Sequence, residues 1–160
     1  MEKRCREAGT VNPETSRTAR ERNEDVLIPS KRVLVVEDDA LMRELLGELL
    51  QDWSFAPSLT ASVREAQDAV LTEKPFTVIV SDYHLADGNG LGILDWLRRE
   101  MQIPVPFLLI SGEMTLASVV ADDYEILAKP FRLQEFRNCL EKLGGLKFQR
   151  AYPLGGSSGG

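Results

Sequence analysis

The sequence predicts an α/β fold in which five parallel strands alternate with helices. Short apolar runs recur along the chain, and leucines at helical spacing fill the segments between them. Four of these runs end directly at polar residues, and they cover residues 33–36, 78–80, 107–110 and 126–128. Continuous apolar runs of this length are typical of strands buried on both faces of a parallel sheet. The alternation then implies right-handed crossovers between the strands.

The first helix, the second strand and the second helix follow the first apolar run. The first helix is predicted from apolar residues at helical spacing, namely Leu41, Met42, Leu45, Leu46, Leu49 and Leu50. Residues 55–59 predict a short second strand, and Pro57 places it at a sheet edge because proline has no N–H for the ladder. Ser62 and Glu65 form a capping-box pattern, which predicts a helix that lasts to about Glu73.

The remaining helices are predicted from leucine spacing and turn residues. Leu91, Leu94 and Leu97 define one face of the third helix. Only about two helical turns fit between Gly112 and Asp123, so we expect the fourth helix to be short or irregular. The last helix is predicted from Leu133, Phe136, Leu140 and Leu143. Gly144-Gly145 is a plausible C-cap for it.

The chain divides by composition into one folded domain and two flanks. Residues 1–30 are polar without an apolar period, so we expect a disordered arm, and residues 149–160 resemble a flexible, glycine-rich tail. Residues 31–148 are then the folded domain. Two cysteines, Cys5 and Cys139, do not make a disulfide framework, and we find no signal peptide or membrane-spanning stretch. These features predict a cytoplasmic protein.

The charge balance disfavours nucleic acid as a partner. The formal net charge is −6, and residues 32–160 carry 12 Lys or Arg against 19 Asp or Glu. Nonspecific binding to nucleic acid depends on Lys and Arg that neutralise phosphates. We therefore expect neither a nucleic acid nor a membrane among the partners.

Polar side chains follow the predicted strands at one edge of the sheet. Glu37 and Asp38 follow the first strand, Asp82 ends the third, and Ser111 and Lys129 follow the fourth and fifth. Two carboxylates about 4 Å apart repel by roughly 4 kcal/mol at an effective dielectric constant near 20. Three such groups either take up protons or bind a cation, and an all-oxygen site suits Mg²⁺.

The same residues suit phosphoryl transfer, in which negative charge spreads over the phosphoryl oxygens. A metal ion, the Lys129 ammonium and the Ser111 hydroxyl would stabilise that charge. Asp82 stands alone at its strand end and is the natural nucleophile, which would give an aspartyl phosphate. Asp39, by contrast, is interpreted as a solvated acid in the first turn of a helix.

Four motifs give the chain a specific resemblance. VLVVEDDALMRELL, VIVSDYHLADGNGLGILDWLR, LLISG and AKPF occur in this order at suitable separations. The chain resembles the response-regulator receiver domains of two-component signalling over about residues 31–145. The resemblance implies a doubly wound, flavodoxin-like sheet in the order 2-1-3-4-5, here with a shortened fourth helix.

The resemblance also implies roles for individual residues. Glu37 and Asp38 would be the acidic pair that places Mg²⁺, Asp82 the phosphoacceptor, and the backbone carbonyl of His84 a further metal ligand. The His84 side chain is interpreted as a loop side chain without a direct catalytic role.

Three further positions match the family pattern. Ser111 stands at the Thr/Ser switch position, and Lys129 matches the family lysine, with a cis bond expected between Lys129 and Pro130. Gly90 matches the glycine that closes the loop after the phosphorylation site.

The sequence departs from the family pattern at four places. Ala86 replaces the usual proline of that loop, which leaves the acidic site intact. Asp122-Asp123 replaces a common Gly-Ala pair, Ile126 replaces an aromatic residue, and the segment between Ser111 and Lys129 is short. The last three departures fall on the surface through which family members usually signal.

We therefore expect a stand-alone receiver domain. A sensor histidine kinase or a histidine phosphotransfer protein would donate the phosphoryl group to Asp82, and the product would signal through contacts with a protein target that the sequence does not identify. The sequence leaves homodimerisation open. One alternative is a degenerate receiver that binds its partners without phosphorylation. Another is a Mg²⁺-dependent phosphohydrolase, although His84 stands where such phosphatases carry a second acid.

Overall fold

Five strands form one parallel sheet in the computed structural model, which describes residues 31–73, 75–113 and 124–144. The strands are β1 Arg32–Val36, β2 Ala56–Thr60, β3 Val78–Asp82, β4 Phe107–Ser111 and β5 Tyr124–Ala128. Their order across the sheet is β2-β1-β3-β4-β5, and every neighbouring pair is parallel. The predicted fold class and strand order are confirmed.

Four α-helices lie within the described residues. They are α1 Ala40–Asp52, α2 Val63–Thr72, α3 Gly90–Trp96, which continues into a π-helical turn at Leu97–Met101, and α4 Leu133–Gly144. Among the residues that the structure describes, no helix is long and apolar enough to cross a bilayer.

Several predictions from the sequence lie outside the described residues. They concern the short helix predicted between Gly112 and Asp123, the Asp122-Asp123 pair, Gly145 of the predicted C-cap, the arm at residues 1–30 and the tail at residues 149–160. Gly144 itself is the last residue of α4.

The sheet is buried on both faces. In β1, Val33 and Val35 pack into the core cluster that contains Leu46 of α1, whereas Leu34 and Val36 pack into the cluster that contains Ala66 of α2. Successive strand residues point to opposite faces, so a strand covered by helices on both sides needs apolar residues at every position. This explains the uninterrupted apolar runs.

Two predictions about α1 and β2 need correction. The predicted apolar face of α1 is only partly buried, because Leu41 is 78% exposed and Leu45 is 47% exposed. The second strand begins at Ala56 and not at Phe55. The Phe55 N–H donates to the Leu50 carbonyl at 2.9 Å, so Phe55 belongs to the turn that ends α1. β2 is an edge strand that pairs with β1, as predicted.

The start of α2 agrees with its predicted cap, whereas Asp39, interpreted as an acid in the first turn of α1, is instead the N-cap of that helix. The Asp39 carboxylate caps α1 by accepting from the Met42 N–H at 2.8 Å. Ser62 caps α2 by accepting from the Glu65 N–H at 3.1 Å. The Glu65 carboxylate in turn accepts from the Ala61 N–H, one residue before the position expected in a capping box.

The loop between β3 and α3 contains a small ladder of its own. His84–Leu85 pairs antiparallel with Gly88–Asn89, and Asn89 then caps α3. The Gly90 N–H donates to the Tyr83 carbonyl at 3.0 Å, which closes the base of the loop. The ladder therefore projects from the end of β3, directly after Asp82.

Replacing Gly90 with alanine is expected to destabilise the fold by about 1–3 kcal/mol. A Cβ on Gly90 would lie 2.6 Å from the Asp82 carbonyl oxygen and 2.6 Å from Leu109 Cδ1, so the loop or the strand end must shift. Urea unfolding of Gly90→Ala measures the change.

Gly92→Ala is the matched control. A Cβ on Gly92 meets only Asn89 Oδ1, at 3.6 Å, and alanine favours a helix over glycine by about 1 kcal/mol. The control should be at least as stable as the wild type. A wild-type unfolding midpoint for Gly90→Ala would show that Gly90 is not required by its surroundings.

Candidate functional site

Three carboxylates from neighbouring strand ends lie together at the carboxyl edge of the sheet. Glu37 and Asp38 follow β1, and Asp82 ends β3, whose Ser81 pairs in register with Val36 of β1. One carboxylate oxygen from each of the three acids lies within 4.8 Å of the others. Glu37 is 2% exposed and Asp82 is 9% exposed, whereas Asp38 faces solvent.

Glu37 carries an unsatisfied buried oxygen. Its Oε1 accepts from the Asp39 N–H at 3.1 Å. Its Oε2 is buried and has no hydrogen-bond partner among the described residues, since Lys129 Nζ is 3.7 Å away. Burial, and after it the negative charge of Asp82, raises the pKa of Glu37. A buried acceptor of this kind is costly unless another group satisfies it.

Lys129 brings a positive charge to the acids. Its Nζ lies 3.2 Å from Asp82 Oδ1, and its side chain is 32% exposed. The backbone holds it in place, because the Lys129 N–H donates to the Ser111 carbonyl at 2.8 Å. The Lys129–Pro130 peptide is cis, as the resemblance implied.

Ser111 lies at the same edge, at the end of β4. Its side chain is buried, and the preceding residue, Ile110, pairs in register with Asp82. The Ser111 Oγ accepts from the Glu113 N–H at 3.0 Å. A hydroxyl that accepts a hydrogen bond still carries its own proton, so Ser111 remains able to donate.

The His84 side chain is exposed, in agreement with its interpretation as a loop side chain. Its Nε2 lies 2.8 Å from Glu113 Oε1, and the two side chains are 68% and 46% exposed. The ring also meets Tyr83 edge to face, with 4.8 Å between centroids. This contact joins the loop after β3 to the loop after β4.

Two residues that shape the site were not predicted. Arg43 of α1 donates from Nη1 to the Glu37 carbonyl at 2.8 Å and to the Asp38 carbonyl at 3.3 Å, so it fixes the backbone of the acidic pair. The Asp87 carboxylate accepts from the Val63 N–H at 2.8 Å, which links the loop after β3 to α2. The contact of Arg43 could have been predicted, because an arginine one turn into the helix can reach back to the acidic pair. No local sequence pattern indicates the contact of Asp87 with α2.

The residues present fit a small divalent cation. The three carboxylates carry three negative charges when ionised, and Lys129 supplies one positive charge, so two negative charges remain among these four side chains. The donor atoms are all oxygens, which Mg²⁺ prefers. The unsatisfied Oε2 of Glu37 is a further acceptor that a cation would satisfy.

Comparison with known proteins assigns the fold. A family model described as the response regulator receiver domain matches residues 33–141. The chain is 32% identical over 110 residues to the two-component response regulator ORR26 of Oryza sativa subsp. japonica, which covers 67% of this chain and 19% of that protein. The chain therefore spans about a fifth of the length of this curated relative.

Solved structures show the same architecture. A response regulator receiver protein of Sinorhizobium medicae WSM419 superposes with a TM-score of 0.65 at 22% identity, over 73% of this chain and 96% of that chain. The response regulator TrrA of Thermotoga maritima, solved in complex with Mg²⁺ and BeF, gives a TM-score of 0.62 at 25% identity, over 71% of this chain and 98% of that chain.

The family match extends over more than half of the chain and includes all of β1 but its first residue, the loop after β3 and most of α4. Receiver domains in general bind Mg²⁺, interact with histidine kinases or phosphotransfer proteins, and serve in signalling rather than as conventional enzymes. The parallel sheet and the acidic cluster at its carboxyl edge agree with this assignment. The chain belongs to the response regulator receiver domain family of two-component systems.

Proposed function

We propose that Asp82 accepts a phosphoryl group from a phosphohistidine of a sensor histidine kinase or a histidine phosphotransfer protein. The observation that supports this most directly is the Asp82 carboxylate itself, 3.2 Å from the Lys129 ammonium and beside two further acids. Glu37, Asp38, Asp82 and the His84 backbone carbonyl would hold Mg²⁺. When bound, Mg²⁺ would neutralise charge on the transferring phosphoryl oxygens.

In this Mg²⁺-dependent transfer, the Asp82 carboxylate is the nucleophile. A carboxylate oxygen attacks phosphorus, the P–N bond to the donor imidazole breaks, and the imidazole leaves with the bonding electrons. The product is an aspartyl phosphate. Lys129 then pairs with a phosphoryl oxygen, because the phosphorylated Asp82 no longer carries the negative charge of its carboxylate. Later hydrolysis of the acyl phosphate would return the free carboxylate.

Ser111 and Lys129 would couple phosphorylation of Asp82 to a change in the conformation of the domain. A phosphoryl group carries a charge of about −1.5 to −2 and three acceptor oxygens, in place of the single charge of the free carboxylate. The Ser111 proton and the Lys129 ammonium are the donors that would move toward it. Output would then pass through contacts with a protein target. Four points stay predictions: the stand-alone organisation, the domain boundaries at residues 31–148, the state of association and the cytoplasmic location.

One observation favours a receiver that acts without phosphorylation. Ile126 lies half-buried on β5, packed against the core, at the position where the family pattern has an aromatic residue. An aliphatic side chain there provides no large ring to move with Ser111. Equal affinity of wild type and Asp82→Asn for the target would favour this alternative. The phosphohydrolase alternative has no comparable support, since His84 and not an acid follows Asp82 by two residues.

Incubation with acetyl phosphate and Mg²⁺ is expected to add one phosphoryl group to the protein, on Asp82. Intact mass spectrometry measures the product. Asp82→Asn should remain unmodified, because a carboxamide is not a competent nucleophile. Asp95→Asn is the control, since it removes an exposed carboxylate from α3, away from the strand ends. Labelling of Asp82→Asn, or none of the wild type, would contradict the proposal.

Mg²⁺ affinity is expected to depend on the ionisation of Glu37. Binding needs the carboxylate, and the pKa of Glu37 is raised above its ordinary value of 4.5. Affinity should therefore be full above the raised pKa and fall as the pH falls through it. Glu37→Gln should bind Mg²⁺ at least about tenfold more weakly. Calorimetric titrations at several pH values test both points, and equal affinities of the variant and the wild type would exclude Glu37 as a ligand.

The stability of the metal-free protein should show the opposite dependence on pH. Between 4.5 and the raised pKa of Glu37, the folded state binds more protons than the unfolded chain, so this residue's contribution to the free energy of unfolding decreases as the pH rises. The difference between wild type and Glu37→Gln in urea unfolding isolates this contribution, because the other acids are common to both. If the free energies of unfolding of the two proteins changed in parallel with pH, the pKa of Glu37 would not be raised in the folded state.

A further inference from the structure

Asp87 connects the loop after β3 to the start of α2. It lies at the tip of the short ladder between β3 and α3. Its Oδ1 accepts from the Val63 N–H at 2.8 Å, and its Oδ2 accepts from the Arg64 N–H at 3.1 Å. Val63 and Arg64 are the first two residues of α2. One carboxylate thus binds two backbone donors more than 20 residues away in the sequence.

These bonds complete the cap of α2. The first N–H groups of a helix have no partner within the helix. Ser62 satisfies only one of them, that of Glu65, and Asp87 satisfies the two before it. A carboxylate at this end also interacts favourably with the helix dipole. In agreement, the hydrogen bond from the Val63 N–H is the main cause that lowers the pKa of Asp87.

The same ladder carries the His84 carbonyl. His84 pairs with Asn89 and Leu85 pairs with Gly88, so Asp87 adjoins the closed end of a two-residue ladder. A Cβ added to Gly88 would lie 3.0 Å from Val63 Cγ2, which shows how closely the tip lies against α2. Ala86, beside Asp87, stands where the family pattern has a proline, so it lacks the ring that would restrict the backbone of the turn. The conformation of the turn therefore depends more on contacts with other parts of the fold.

We propose that Asp87 is a positioning residue for the metal site. By holding the tip of the ladder against α2, Asp87 fixes the position of the His84 carbonyl relative to the carboxyl edge of the sheet. Mg²⁺ binding and the two hydrogen bonds from α2 to Asp87 are therefore coupled. This inference rests on the proposed function, because it takes the His84 carbonyl as a metal ligand.

The first test compares Mg²⁺ affinities by calorimetric titration at neutral pH. Asp87→Ala should bind Mg²⁺ about fivefold more weakly than the wild type. Asp87→Asn should recover part of the loss, because its amide oxygen still accepts one N–H. Ser62→Ala is the matched control: it removes a cap bond from the same helix but leaves both bonds of Asp87 in place. Its affinity should equal that of the wild type.

The second test uses the reciprocity of coupling, and it needs only the wild type if Asp87→Ala fails to fold. Mg²⁺ should slow hydrogen exchange at the Val63 and Arg64 amides, it should lose this effect in Asp87→Ala, and it should keep part of it in Asp87→Asn. Unchanged exchange at both amides in Mg²⁺-saturated wild type would overturn the inference.

The possible outcomes separate the two proposals. Wild-type affinity in folded Asp87→Ala, or an equal loss in Ser62→Ala, would overturn the positioning role and leave the proposed function intact. Failure of the wild type to bind Mg²⁺ would overturn the proposed function, and the positioning role with it.

Discussion

Two buried carboxylates, those of Glu37 and Asp82, face the ammonium of Lys129 at the carboxyl edge of the sheet. Burial of charge is expensive, and partial pairing repays only part of the cost. One oxygen of Glu37 gains no hydrogen bond from the described residues. Apolar residues would pack here at lower cost, so stability alone does not explain the arrangement. The strand order and the contacts around the strand ends hold Glu37, Asp82 and Lys129 together despite this energetic cost.

The strand order brings the acids together, and two further residues hold them. β1 and β3 are neighbours in the sheet, and helices leave them toward opposite faces, which opens a crevice at their ends. Arg43 holds the two carbonyls of the acidic pair from α1. Gly90 lets the loop after β3 pass close to the Asp82 carbonyl, where a side chain would collide. Contacts to the backbone therefore help to shape the site.

The sequence was sufficient to predict the sheet and the acidic cluster, because strands buried on both faces leave continuous apolar runs with readable ends. It predicted the start of α2 for a similar reason, since Ser62 and Glu65 interact locally. It did not predict that Leu41 is exposed, because helical spacing defines a stripe but not how much of it the sheet covers. It missed Asp87 because its partners are distant in the chain, and their approach depends on how a loop packs on a helix.

The loop after β3 is held on three sides, and the contacts differ in strength. On the sheet side, the Tyr83 N–H donates to the Ile110 carbonyl at 2.8 Å. On the helix side, Asp87 binds α2. On the open side, exposed His84 meets exposed Glu113, and such pairs contribute little to stability. Because the Glu113 N–H also binds the Ser111 hydroxyl, movement of that hydroxyl toward a phosphoryl group would disturb the weakest contact first. The Ser111 hydroxyl and the exposed His84–Glu113 contact would then change together, while the contact of Asp87 with α2 stays in place.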